Sequence, residues 1–132
     1  IVERLGEVGG AELIDTLLYI MFGDTSLAAN TPEVQQWRAF MEKLDPGIGD
    51  AAFQVIHRKS IVGELAGVGV PVLAISGSED HAYPPPISDE NIAAATGGDH
   101  VRVEQAGHST SLEQSQLVAE HVLRFIQALP AA

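Results

Sequence analysis

The 132-residue sequence contains no cysteine. Disulfides, thiolate nucleophiles and cysteine-ligated metals are thereby excluded, and a cytoplasmic location fits the absence. Basic residues are scarce: seven Lys and Arg stand against 18 Asp and Glu, a formal charge of −11. Such a surface repels phosphate backbones and anionic headgroups, so neither nucleic acid nor a membrane is an expected partner. No apolar run reaches the roughly 20 residues that a spanning helix needs. There is no Gly-Lys pair and hence no P-loop, and no His-x-x-x-His pair to hold a metal. Neither metal nor cofactor is expected. What is present is globular composition, 45% apolar and 19% charged, in the length of one ordinary domain.

The first half reads as helices. Between Ala11 and Phe22 apolar residues are denser than a single stripe, which predicts a helix buried on most sides. Gly23-Asp24 ends it. Thr31 then reads as an N-cap with Pro32 at the first helical position. The helix that follows carries Val34, Trp37, Phe40, Met41 and Leu44 as its apolar stripe and ends at Asp45-Pro46-Gly47. A further helix is predicted from Asp50 to about Lys59, with Phe53, Ile56 and His57 inward. Gly47-Ile48-Gly49-Asp50-Ala51-Ala52 matches G-x-G-x-x-A in letters, but it follows a helix rather than a strand, so a dinucleotide site is rejected.

After Val70 the pattern changes. Residues 71–76, Pro-Val-Leu-Ala-Ile-Ser, form a short apolar run suited to a parallel strand buried on both faces. Three prolines, 84 to 86, mark a loop, and a helix is expected from Asp89 to Ala95. Val101 to Glu104 alternates like a second strand. The last helix is predicted to start with a capping box, Ser111 capping and Gln114 reaching back. Its stripe is Leu117, Val118, Val122, Phe125, Ile126 and Leu129. The fold class is therefore α/β, with helices in 1–65 followed by a βαβα unit in 66–132. Two parallel strands alone leave open edges, so the chain reads as the end of a larger fold. Its opening Ile1-Val2-Glu3-Arg4, without an initiator Met, agrees with a piece of a longer chain.

In a parallel sheet, functional groups gather beyond the carboxyl ends of the strands. Asp80 follows the first strand and His108 the second, on the same edge. A carboxylate that accepts the Nδ1 proton of an imidazole fixes its tautomer, which is the arrangement of a nucleophilic hydrolase. The plainer alternative is a pair of ordinary loop residues.

The run Pro71 to Asp80, followed by Ala106-Gly107-His108 and Leu112-Glu113-Gln114, resembles the C-terminal part of α/β-hydrolase-fold enzymes. By that resemblance Asp80 is the triad acid, His108 the triad base, and residues 1–65 are the helical lid. An ester, lactone or C–C substrate is implied, with Trp37, Phe40 and Met41 as candidate pocket residues. The family's nucleophile sits on a Gly-x-Ser-x-Gly elbow, and this chain has none; Ser76, Ser78, Ser109 and Ser111 lie in other contexts. The expected partners are a small ester-like substrate and either a complementary N-terminal half or a second copy of the chain. The isolated chain is expected to be inactive. Another reading is a non-catalytic interaction domain of the same ancestry, binding through its strand edge or lid helices. His57, His81, His100 and His121 are read as structural, rim or solvent residues.

Overall fold

A computed structural model describes residues 1–130. The helical half comprises α1 (Val2–Val8), a 3₁₀ turn (Ala11–Leu13), α2 (Ile14–Met21), α3 (Asp24–Ala29), α4 (Pro32–Met41), α5 (Ile48–Ile56) and a second 3₁₀ segment (Val62–Gly67). The second half runs β1 (Leu73–Gly77), α6 (Glu90–Thr96), β2 (Asp99–Val103), α7 (Thr110–Glu113) and α8 (Ser115–Ala128). β1 and β2 pair in parallel, Leu73 opposite Asp99 and Gly77 opposite Val103. The α/β order expected from the sequence, helices followed by a βαβα unit with two parallel strands, is present. Among the described residues no helix is long and apolar enough to cross a membrane.

The helical half is organised by one small core. Leu18, Phe22 and Val34 are buried together, with Ile14, Met21, Leu27 and Trp37 packed around them. The Phe22 and Trp37 rings meet edge to face at 5.9 Å, a favoured aromatic geometry. Thr31 caps α4 as expected, its hydroxyl accepting from the Val34 amide. One glycine of the rejected dinucleotide pattern has a packing role instead. Gly49 is buried on α5 against the backbone of Gly6 on α1, where a side chain would collide with the facing helix.

Several expectations are corrected. The 11–22 helix is not buried on most sides: Leu18 and Phe22 are covered, while Tyr19 is 51% exposed. Phe53, Ile56 and His57 do not point inward; all three are exposed, and His57 stacks on Phe53 at 3.9 Å. α5 starts earlier than expected and turns its Gly49 side, not its apolar stripe, to the neighbouring helix. The first strand is not enclosed on both faces, since Leu73 and Ile75 are only half-buried. The capping box at Ser111 is absent. Ser111 lies inside α7, and Gln114 breaks the helix before α8, its side chain donating to the Gln105 carbonyl. Of the stripe on the last helix, Val118 and Phe125 are half-buried, while Leu117, Val122, Ile126 and Leu129 are exposed.

Two networks fix the strand half to its surroundings. The first is the Glu113 carboxylate, whose two oxygens accept from the Gly107 amide at 2.7 Å and the Gly23 amide at 2.9 Å. It joins the turn after β2 to the α2–α3 junction. Ser109 N donates to the Met21 carbonyl beside it. Backbones here approach so closely that a Cβ on Gly107 would overlap Phe22 and Gly23, and one on Gly77 would overlap the 106–107 carbonyls.

The second network is centred on Asp89, which is fully buried. Its Oδ2 accepts from Ser76 Oγ on β1 at 2.8 Å and from Arg102 Nε on β2 at 2.9 Å. Its Oδ1 accepts from the Glu90 amide at the start of α6. Burial pushes this carboxyl up, but the hydrogen bonds from Arg102, the Glu90 amide and Ser76 together hold it down at about 2.

Two outcomes follow from these networks. Because the fold prefers ionised Asp89, its contribution is complete above about pH 4 and is lost as pH falls through about 2. Asp89→Asn should therefore cost about 2 kcal/mol near neutrality. Urea titrations of both proteins at a series of pH values should show that gap narrowing towards pH 2; a constant gap would contradict the assignment. Glu113→Ala should cost about 2 kcal/mol as well, because it strands two amides. Amide exchange should accelerate at Gly23 and Gly107 more than in α5, and uniform acceleration would refute the clamp.

Candidate active site

The turn that ends β1 is stitched to the turn that ends β2. Ser78 N donates to the Val103 carbonyl and Glu79 N to the Ala106 carbonyl, at 2.9 and 2.8 Å. Gln105 N donates back to Ser78 Oγ at 3.2 Å. Gln105 adopts the left-handed conformation, with φ 58°, and swings the chain off β2 toward this contact. Parallel pairing puts both turns on one sheet edge, and these bonds hold them side by side.

Asp80 and His108 face each other across this joint. His108 Nδ1 lies 3.0 Å from Asp80 Oδ2. A carboxylate oxygen accepts, so Nδ1 supplies the proton of this bond. Nε2 makes no hydrogen bond among the described residues. The other Asp80 oxygen accepts from the Ala82 and Tyr83 amides at 2.8 and 2.9 Å, which fixes the carboxylate plane. Asp80 is buried; the His108 side chain is about a third exposed. A hollow of about 220 Å³ opens beside His108, lined by Ile75, Thr110, Ser111 and Val118. Such a pair can take a proton at Nε2 and stabilise the resulting imidazolium, provided a nucleophile stands next to it.

The other expected residues are more dispersed. Trp37 and Phe40 line a second, shallow hollow of about 280 Å³ together with Gln36. Met41 is buried beneath the surface, its carbonyl against Gly10. His81 is half-buried at the rim, stacked on Tyr19 at 4.0 Å and bonded through Nε2 to Asp24 Oδ1 at 3.1 Å. His100 is exposed. His121 is half-buried on α8. Ser109 adjoins His108 in sequence, and its buried hydroxyl has no hydrogen-bond partner. Among the described residues no group of three His, Asp or Glu side chains is arranged to hold a metal ion.

Sequence reasoning missed several residues that build the site. Glu79 caps α3, its Oε2 accepting from the Thr25 amide and its Oε1 from the Thr25 hydroxyl. Glu113 was visible only as part of a motif, not as a clamp. Tyr83 packs at 6.2 Å from the His108 ring, and the Arg58 guanidinium carbon lies 5.7 Å from the Tyr83 ring. The carboxylates accept amides more than fifty residues away, a relation that no local pattern encodes.

A family model described as TAP-like protein (Abhydrolase_4) matches residues 51–130. Among solved structures, the chain is similar to a thermophilic esterase from Thermogutta terrifontis, described as malate-bound. The TM-score is 0.81 and the identity 22%, over 96% of this chain and 47% of the esterase. An enol-lactonase from Burkholderia xenovorans LB400 gives a TM-score of 0.80 at 21% identity, covering 96% of this chain and 48% of the other. A hydrolase from Pseudomonas aeruginosa PA01 gives 0.80 at 25% identity, covering 96% and 49%. The chain thus spans about half the length of the structures it matches. No curated protein matches it. With more than half of its residues inside the family match and its strand-end geometry held in the same βαβα unit, the chain belongs to the TAP-like family of the α/β-hydrolase superfamily.

Proposed function

We propose that this chain carries the acid and the base of a nucleophile–His–acid hydrolase, acting on an ester, lactone or C–C bond. The observation that carries the reading is the 3.0 Å contact between His108 Nδ1 and a buried Asp80 carboxylate whose second oxygen is already engaged by two amides. In this reading His108 Nε2 accepts the nucleophile's proton and returns it to the leaving group, while Asp80 keeps the imidazole in the right tautomer. The nucleophile and the oxyanion donors come from a segment outside these 132 residues, since no Gly-x-Ser-x-Gly elbow occurs within them. Residues 1–65 act as the lid, with Trp37 and Phe40 facing the apolar part of the substrate and Met41 supporting them from below. That complementary segment, or a second copy of the chain, covers the open strand edge.

A second reading is favoured by one specific observation, the exposed residues Leu117, Val122 and Ile126 on α8. A face of this kind suits an interaction module that keeps the fold without the chemistry.

Turnover of p-nitrophenyl butyrate separates the two. The chain by itself should show none above background. Joined to a segment that supplies nucleophile and oxyanion donors, it should become active. His108→Ala should then cost several orders of magnitude and Asp80→Asn about 10⁴-fold, whereas His57→Ala and His100→Ala should change little. Turnover by the chain alone that survives His108→Ala would place the chemistry elsewhere.

A further inference from the structure

Arg58 follows the end of α5 and is exposed. One of its guanidinium nitrogens, Nη1, donates to the Val55 carbonyl at 2.6 Å; no other hydrogen bond engages the group among the described residues. Among the described residues Arg4, Arg38 and Arg102 are paired with carboxylates, whereas Lys43, Lys59 and Arg124 form no ion pair. Arg58 likewise has no carboxylate partner among the described residues. Its guanidinium is instead placed against Tyr83, with Cζ 5.7 Å from the ring centroid. Tyr83 is 43% exposed, and its ring centroid lies 6.2 Å from that of His108.

The position of Tyr83 is not incidental. Its backbone amide donates to Asp80 Oδ1, while Asp80 Oδ2 meets His108. One carboxylate therefore sets the imidazole and also anchors the aromatic residue on which the guanidinium rests. A guanidinium offers five N–H donors in a planar fork matched to a carboxylate, and here most of them are unused.

We propose that Arg58 is a substrate-binding residue for an ionised carboxylate, and that the site takes an ester or lactone bearing such a group. The proposal rests on the reading of His108 and Asp80 as base and acid, and it narrows the substrate class of that site. A chain of charge −11 repels an anionic substrate at long range, so admitting one requires a free cation at the site itself. Arg58 supplies it one aromatic ring away from the imidazole. The Tyr83 face keeps the guanidinium in place without neutralising it.

The test measures binding to the 132-residue chain, which needs no turnover. Monoethyl succinate and its neutral counterpart diethyl succinate are titrated while the Arg58 side-chain and His108 ring NMR signals are followed. The wild-type chain should bind the monoanion about tenfold more tightly than the diester, a preference of about 1.4 kcal/mol. Arg58→Met should bring the two within about twofold, and Arg58→Lys, which keeps charge but not the fork, should restore part of the difference. Equal affinities in the wild type, discrimination that survives Arg58→Met, or no binding of either ester would each overturn the proposal. Its failure is distinct from that of the catalytic reading. His108-dependent turnover without charge preference would remove only the role of Arg58. Arg58-dependent binding without His108-dependent turnover would leave the carboxylate site and remove the chemistry.

Discussion

A two-stranded parallel sheet has almost no ladder of its own, so the structure depends on how its strand-end turns are tied to the helices. The Glu113 carboxylate makes the central tie, accepting from Gly107 after β2 and from Gly23 between α2 and α3. A carboxylate can satisfy two amides at once with charge-assisted bonds, which a neutral side chain cannot match. The geometry also demands that both partners be glycine. Any side chain at Gly107 would enter the Phe22–Gly23 backbone, and one at Gly23 would strike Glu79 and Gly107. The clamp, the two glycines and the Ser109–Met21 bond thus form one joint. His108 sits in the middle of it.

Asp89 plays the corresponding part on the other side of Asp80. It ties Ser76, Arg102 and the start of α6 together in a buried network. The loop bearing Asp80 is held by the β1–β2 stitching at one end and by Asp89 at the other. Buried and fully bonded carboxylates of this kind are costly to disturb, because removing one partner leaves the rest desolvated and unpaired. The candidate acid is thereby presented in one orientation, with its own second oxygen bonded to Ala82 and Tyr83.

Against these well-satisfied polar joints stands a poorly covered apolar surface. Val68, Val70, Leu117, Val122, Leu123 and Ile126 are all exposed, and the core of the helical half reduces to Leu18, Phe22, Val34 and their neighbours. The chain spans about half the length of the hydrolases it resembles in fold, and those structures match it over nearly all its residues. The polar joints lie within the chain and are satisfied, whereas Leu117, Val122 and Ile126 of α8 are exposed among the described residues.

The local chemistry of single elements was legible in the sequence. Thr31 and Pro32 announced the start of α4, the apolar run at residues 71–76 announced β1, and two strand ends on one edge brought Asp80 and His108 into view. Periodicity, however, says which residues of a helix share a side, not whether anything covers that side. Phe53, Ile56 and His57 were therefore expected inward and are found exposed. Nor can a sequence window contain a bond spanning ninety residues, such as Gly23 to Glu113, or show that Gln114 leaves the helix to meet Gln105. Element type and the identity of the acid–imidazole pair came from the sequence, because they depend on neighbours and on strand order. The clamp, the buried Asp89 network and the approach of Arg58 to Tyr83 were decided by tertiary structure alone, because each requires a polar group to find a partner that only folding brings within 6 Å.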